Sequence, residues 1–415
     1  MTDAGTPTGP VTRSSVTRVG AATAVSALCG YAVLYLAARD LDPAGFSVFG
    51  VFWGAFGLVT GAAFGLLQQS TREIRLAARH DPTAPAPTGI TRPLRLAATV
   101  GVTAAVVVAT TAVLWAPHVF VESRRLSVVL LAVGLACFCL HATLLGMLAG
   151  ADRWSQYGAL MVTDAGIRVV IAVATVTLGW GLEGFLWATV GGSLSWLLLL
   201  LASPATRAAA TLVARESPAS FLRGAAHAVA AAGASAILVM GFPVLLKTTS
   251  GELGAAGGVV ILAVTLTRAP LLVPLTAMQG NLIAHFVDAR AHRLRAVAQA
   301  VAVLAVVGAA GITLAALTGP WLLRVGFGEQ YRASGALLAW LTAGAVVIAV
   351  LTVTGAATVA AALHRAYSVG WVCATVAAAA LLLLPLALET RTVVALVCGP
   401  LVGIAVHLAA LRERG

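Results

Sequence analysis

Arg268 is the side chain in this sequence whose type and setting most plainly suggest chemistry. It stands in the apolar run Ala263–Gln279, AVTLTRAPLLVPLTAMQ. A guanidinium offers five donors in a planar fork that fits a phosphate in bidentate fashion. In hydrocarbon it costs several kcal/mol unless it faces a protein interior or a wet cavity. The positions three and four residues away are Val264, Thr265, Leu271 and Leu272. No acid on its own helix neutralises it, so its partner comes from another helix or from a substrate. Pro270 and Pro274 follow in the same run. Each removes a backbone donor and frees a carbonyl, which marks the place for this helix to bend.

Asp164 and Arg168 sit four residues apart in a second apolar run, on one face of a helix. They form either a self-neutralising structural pair or two groups lining a cavity, where the acid would titrate and the arginine would take an anion. Gln68, Gln69, Arg72, Glu73 and Arg75 close a third run. They read as an interfacial anchor with snorkelling arginines, or as the mouth of a central cavity. Gln279 opens a stretch with Asn281, His285, Asp288, Arg290, Arg293 and Arg295, the pattern of a short amphipathic helix at a membrane surface. His141 is a lone histidine among apolar residues, a satisfied core residue or, alternatively, a proton relay.

Enzymatic constellations are missing from the sequence. It has no phosphate loop of the GxxxxGK[ST] type, no GxSxG elbow and no HExxH pair. Cys29, Cys137, Cys139, Cys373 and Cys398 lie in apolar runs without CxxC spacing, so they read as small hydrophobes rather than metal or redox groups. No cofactor and no metal site are expected. Asp40 and Asp42 are the one enzyme-like feature, since polytopic glycosyltransferases carry acids in a first external loop, but those proteins usually add large external loops or a soluble domain.

The elements that must position these groups are membrane helices. Of 415 residues 60% are hydrophobic and 10% charged, the composition of an all-α integral membrane protein. Apolar windows of about 20 residues fall near 16–38, 44–68, 96–116, 126–150, 157–178, 183–202, 222–246, 254–278, 296–318, 333–360, 367–388 and 391–410. The polar tail Met1–Ser15 precedes a first run with no small-residue cleavage site, so that run reads as a retained span rather than a signal peptide. The net charge of +11 resides between spans, which argues against nucleic acid as a partner. Outside the spans, one alternating set of connections holds only Arg39, Arg124, Arg125, Lys247, Arg324, Arg332 and Arg391, and the other set holds the rest. That bias places both termini in the cytoplasm. The connection 203–221 divides the chain into bundles 1–202 and 222–415, each of six helices and in the same orientation, a common plan for transporters. Gly50, Gly54, Gly57, Gly61 and Gly65 form a stripe on the second helix, suited to close helix packing or to approach by a ligand.

The stretch Tyr35–Ile74, with Arg39 to Phe49 ahead of a helix ending in Gln68, Gln69 and Arg72, resembles the first helical hairpin of the polysaccharide (O-antigen type) flippases. These belong to the multidrug/oligosaccharidyl-lipid/polysaccharide (MOP) exporter superfamily. GPWLLRVGFGEQYRASGALLAWL, with Trp321, Leu322, Gly328 and Tyr331, is similar to that family's external loop before span ten, and LTRAPLLVPL to its eighth span. The resemblance covers nearly the whole chain. It implies two bundles (MATE/MOP-like) around a central cavity in the bacterial cytoplasmic (inner) membrane. Alternating access would move polyisoprenyl-diphosphate-linked saccharides to the outer leaflet, with membrane lipids and the glycosyltransferases or polymerase of a glycan pathway as partners. Arg268 then corresponds to a position suited to the diphosphate. Span one lacks the acid and base carried by relatives that handle peptidoglycan precursors. A cation-coupled multidrug exporter of the same superfamily, using Asp164, and a non-transporting partner of a glycan assembly complex are the competing expectations.

Overall fold

The computed structural model describes residues 13–78, 89–289 and 292–413. Among them it contains twelve helices long and apolar enough to cross a membrane. They are α1 (Arg13–Asp40), α2 (Pro43–Ala78), α3 (Pro93–Thr110), α4 (Arg124–Gly150), α5 (Trp154–Leu178), α6 (Gly181–Ala202), α7 (Pro218–Val239), α8 (Gly254–Ala277), α9 (Arg293–Phe327), α10 (Gly335–Ala360), α11 (His364–Leu382) and α12 (Leu388–Arg412). The chain is a multi-pass membrane protein. We call the side where α1 begins and α12 ends the terminal side.

Prolines and small polar residues start many of these helices where their physics predicts. Pro43, Pro93 and Pro218 stand in first turns, where a missing N–H costs nothing. Ser217 and Ser334 accept the Ser220 and Leu337 amides as N-caps. The amphipathic segment forms as helix Gln279–Asp288, and Arg290 at its far end lies outside the described residues. The proline-rich turn 80–87 also lies outside them.

The seventh apolar window departs from expectation. In place of one helix over 222–246, α7 ends at Val239 and a second helix runs Phe242–Ser250. Pro243 has no N–H to offer the Val239 carbonyl four residues back, so regular winding stops at Met240–Gly241. By contrast α8 continues from Gly254 to Ala277 through Pro270 and Pro274.

Helices α1 and α5, α2 and α4, and α3 and α4 pack within the first half, as do α9 and α10, α10 and α12, and α11 and α12 in the second. Across the halves α2 packs on α7 and α8, and the glycine stripe builds that seam. A Cβ on Gly50 would meet Ile261, one on Gly54 would meet Pro243, one on Gly57 Met240 and one on Gly61 Ala236. At Gly65 it would collide with the Val229 amide nitrogen, so the two backbones touch there.

Away from this seam, among the described residues, the halves meet at the side opposite the termini. Tyr35 of α1 lies edge-on to Phe327 with ring centroids 5.6 Å apart, and Phe46 of α2 edge-on to Tyr331 at 6.0 Å. Burial follows the same gradient. In α1 four of the five buried apolar residues, Val33, Leu34, Ala37 and Ala38, cluster at the far end, with Ala22 nearer the start. In α8 the run Val260–Val264 is buried, whereas 265–274 is half-exposed apart from Arg268 and the exposed Pro270 and Pro274. Burial in both helices is therefore heaviest toward the far side.

Candidate functional site

Arg268 is the buried residue within the half-exposed part of α8, 7% exposed. Its Nη1 donates to the carbonyls of Leu238 at 3.3 Å and Val239 at 3.2 Å. These are the carbonyls that the break in span seven leaves without regular partners. A cation at a helix C-terminus also meets the negative end of its dipole. The guanidinium carbon lies 5.1 Å from the centroid of Phe242, within cation–π range. The other terminal nitrogen, Nη2, is buried with no hydrogen-bond partner. A buried, unmade donor costs about 1–3 kcal/mol. Among the described residues no carboxylate forms an ion pair with Arg268.

Asp164 and Arg168 are fully engaged with one another. Nε and Nη2 of Arg168 donate to the two carboxylate oxygens, each at 3.1 Å, and Nη1 donates to the Thr189 carbonyl at 2.8 Å. The guanidinium also covers Phe56 at 5.5 Å. Thr189 lies in α6 just before Gly192–Leu194, where the winding tightens to 3-10. A Cβ on Gly192 would come 2.5 Å from the Asp164 carboxylate, so the pair needs glycine there. Phe56 and Met240's neighbour Gly57 are adjacent on α2, about 100° apart around the helix. The ion pair and Arg268 thus lie at similar depth on different faces of α2, not in one cluster.

His141 is a satisfied core residue. Its Nδ1 lies 3.0 Å from the Ser195 hydroxyl and its ring stacks on Phe138. The second half repeats the motif with partners exchanged: Thr354 of α10 bonds His407 of α12 at 3.0 Å, as His141 of α4 bonds Ser195 of α6.

The polar end of α2 divides in two. Gln68 and Arg72 are exposed, while Gln69 and Glu73 are each 6% exposed. Arg75 pairs with Asp152 and donates to the Ala149 carbonyl at 3.2 Å, fastening α2 to α4. Gln69 lies against Gly224 of α7, fourteen residues before Leu238 and so about 21 Å from it along the helix. Arg268 and the Gln68–Arg72 group are therefore set about 21 Å apart along α7. The Gln279 side chain lies outside the described residues.

Three features lie outside the candidate site residues named from the sequence. Glu216 accepts a hydrogen bond from Gln69, 147 positions away, at 3.2 Å. Lys247, the one lysine, lines a cavity of about 80 Å³ at the far end of the seam with Ser47, Glu122 and Glu252, and donates to the Gly251 carbonyl at 2.6 Å. Tyr331 is fully buried with an unpartnered hydroxyl; burial, and then Asp42, push its phenol above the usual tyrosine range. Asp42 itself caps α2 through the Gly45 amide at 2.7 Å.

No family model matches the sequence. The chain is 67% identical over 405 residues to "Uncharacterized protein Rv3630" of Mycobacterium tuberculosis, covering 98% of this chain and 94% of that protein. It is 63% identical over 423 residues to "Uncharacterized protein Rv1510" of the same species, covering 100% and 96%. Among solved structures it is similar to the inward-facing conformation of a multidrug resistance MATE family transporter of the MOP superfamily. That match has a TM-score of 0.75 at 18% identity, over 96% of this chain and 98% of the other. The outward-facing conformation of such a transporter gives 0.62 at 15% identity, over 96% and 95%. The fold is MATE-like.

Proposed function

The chain belongs to the same family as these mycobacterial proteins, and on its MATE-like fold and its polar interior we propose that it is a flippase for polyisoprenyl-diphosphate-linked saccharides. It moves them from the inner to the outer leaflet of the bacterial cytoplasmic membrane by alternating access, for cell-surface polysaccharide biosynthesis. The terminal side is the cytoplasmic side, and the opening between α1 and α8 is the inward cavity. The better match to an inward-facing than to an outward-facing transporter supports that state.

The observation that carries the reading is the free Nη2 of Arg268. A buried guanidinium at the head of a tapering cavity, with one nitrogen committed to carbonyls and the other unpaired, suits a phosphate oxygen. Arg72, Arg75, Arg293 and Arg295 would draw the anionic headgroup to the mouth, where the exposed Gln68 offers an amide to the sugar. The matched His141–Ser195 and Thr354–His407 links support two equivalent bundles, 1–202 and 222–415, joined by 203–221. The test is reconstitution into liposomes with labelled lipid-linked saccharides. Exchange between leaflets should exceed that with Arg268→Ala; equal rates would remove Arg268 from the mechanism, and no exchange above protein-free vesicles would remove the flippase reading.

A cation-coupled multidrug exporter is the second reading, favoured by the description of the similar structures as multidrug resistance transporters. It needs an acid free to take a proton or a cationic drug. Asp164 is held in bidentate fashion by Arg168, which disfavours it. Cells carrying Asp164→Asn and grown with cationic dyes separate the two: the exporter predicts sensitisation, the flippase none.

A further inference from the structure

The chain has a single lysine, and it is buried at the far end of the seam, where the transport cycle above does not use it. Lys247 stands in the last turn of the helix Phe242–Ser250 and is 8% exposed. It gives one of its three ammonium protons to the Gly251 carbonyl at 2.6 Å. The ammonium lines the cavity of about 80 Å³ together with Ser47 and Val51 of α2, Val119 and Glu122 of the connection between α3 and α4, and Glu252. Among the described residues no carboxylate forms an ion pair with Lys247, and neither Glu122 nor Glu252 forms one with any cation. A desolvated ammonium needs an anionic partner, and one carbonyl does not supply it. Ser47 Oγ spends its proton on the Ala44 carbonyl at 2.8 Å, which leaves it able only to accept. The cavity thus offers one positive group with unused donors and, set apart from it, two carboxylates and a hydroxyl oxygen with unused lone pairs.

The walls are held without a ligand. Ser123, next to Glu122, has a left-handed φ of 43° and donates to Glu183 at the start of α6 at 2.9 Å. Gly251 and Gly254, at φ of 69° and 54°, turn the chain on either side of Glu252 in a conformation that glycine adopts freely. The cavity is about half the ~150 Å³ that holds a benzene ring, so it takes a group of a few heavy atoms and not a saccharide. Glu122, Glu252 and Val121 at its edge are exposed, in connections that end the spans on the far side, the level of lipid headgroups. A phosphate suits Lys247 as a point charge, and an ammonium with three N–H groups suits two carboxylates and a hydroxyl oxygen. Phosphoethanolamine carries both groups on one short arm.

We propose that this cavity binds the headgroup of a phosphatidylethanolamine from the far-side leaflet, with its phosphate on Lys247 and its ammonium among Glu122, Glu252 and Ser47. Ser47 and Glu122 belong to the first half, Lys247 and Glu252 to the second. The bound lipid therefore bridges the halves and stabilises the arrangement in which they meet on the far side, whatever substrate the central cavity takes.

Native mass spectrometry of the full chain, purified in detergent and titrated with short-chain phosphatidylethanolamine, phosphatidylcholine or phosphatidylglycerol, tests this. The wild type should bind the ethanolamine lipid several-fold more tightly than the choline lipid, whose ammonium has no N–H, and than the glycerol lipid, which has no cation. Lys247→Gln should weaken binding of the ethanolamine lipid several-fold. Glu122→Gln combined with Glu252→Gln changes only exposed side chains that form no ion pair, and it should erase the preference for ethanolamine. Hydrogen exchange across Phe242–Gly254 should slow when the ethanolamine lipid is added to the wild type and stay unchanged in the double variant. Equal affinity for the three lipids, a preference unchanged in the double variant, or competition by free phosphoethanolamine as strong as by the lipid would each overturn the site.

Discussion

At the scale of single residues, Arg268 has two tasks that compete for one guanidinium. One nitrogen closes the broken end of α7, and the other is free for an anion. Arg268→Ala should abolish saccharide translocation and also lower thermal stability, since two buried carbonyls lose their donors at about 1–3 kcal/mol each. Arg268→Lys keeps a charge that can cap a carbonyl but not the planar fork. It should restore most of the stability and little of the transport, an outcome read by comparing melting temperature with leaflet exchange. Asp164 gives the opposite pattern. Asp164→Asn leaves Arg168 without its bidentate partner in a partly buried site, and losing a hydrogen bond to a charged group costs about 1.5–3 kcal/mol. Its effect should appear as lost stability, measurable by thermal melting of the purified protein.

At the scale of the helices, some features are legible in the order of residues and others are not. Each apolar window announces a span because the bilayer demands about 20 such residues. The Asp164–Arg168 pair is legible because contacts four residues apart are built into a helix, and the glycine stripe because five small residues share one face. The break in α7 is invisible to hydropathy because Met240, Gly241, Phe242 and Pro243 are themselves apolar or small; only the proline hints at it. No periodicity links Arg268 to carbonyls 30 and 29 positions earlier, or Gln69 to Glu216. Such contacts are fixed by how helices cross, which a linear pattern does not record. Two substitutions test the elements directly. Gly65→Leu forces a side chain into the Val229 backbone, and overpacking of this kind costs about 1–3 kcal/mol or more, so the melting temperature should fall. Pro243→Ala returns an N–H to the Val239 carbonyl and should extend α7 toward Phe242, seen as new amide protection across Met240–Phe242.

At the scale of the whole molecule, the two halves touch along α2 and at the rim opposite the termini. The rim contact between Tyr35 and Phe327 should be able to open if transport alternates access. In a chain whose five cysteines are replaced, Tyr35→Cys combined with Phe327→Cys and a short thiol crosslinker should arrest translocation. Cleaving the crosslinker should restore it, and transport that continues while crosslinked would show that this rim stays shut during the cycle. The glycine seam has a consequence for how such movement is made. Where backbones meet with no side chains between them, sliding would drive Cβ atoms into main chain within one turn, but rolling about the common line meets little resistance. The α2–α7 contact is then the spine of a book, fixed in place while its two covers, edged by α1 and α8, swing apart.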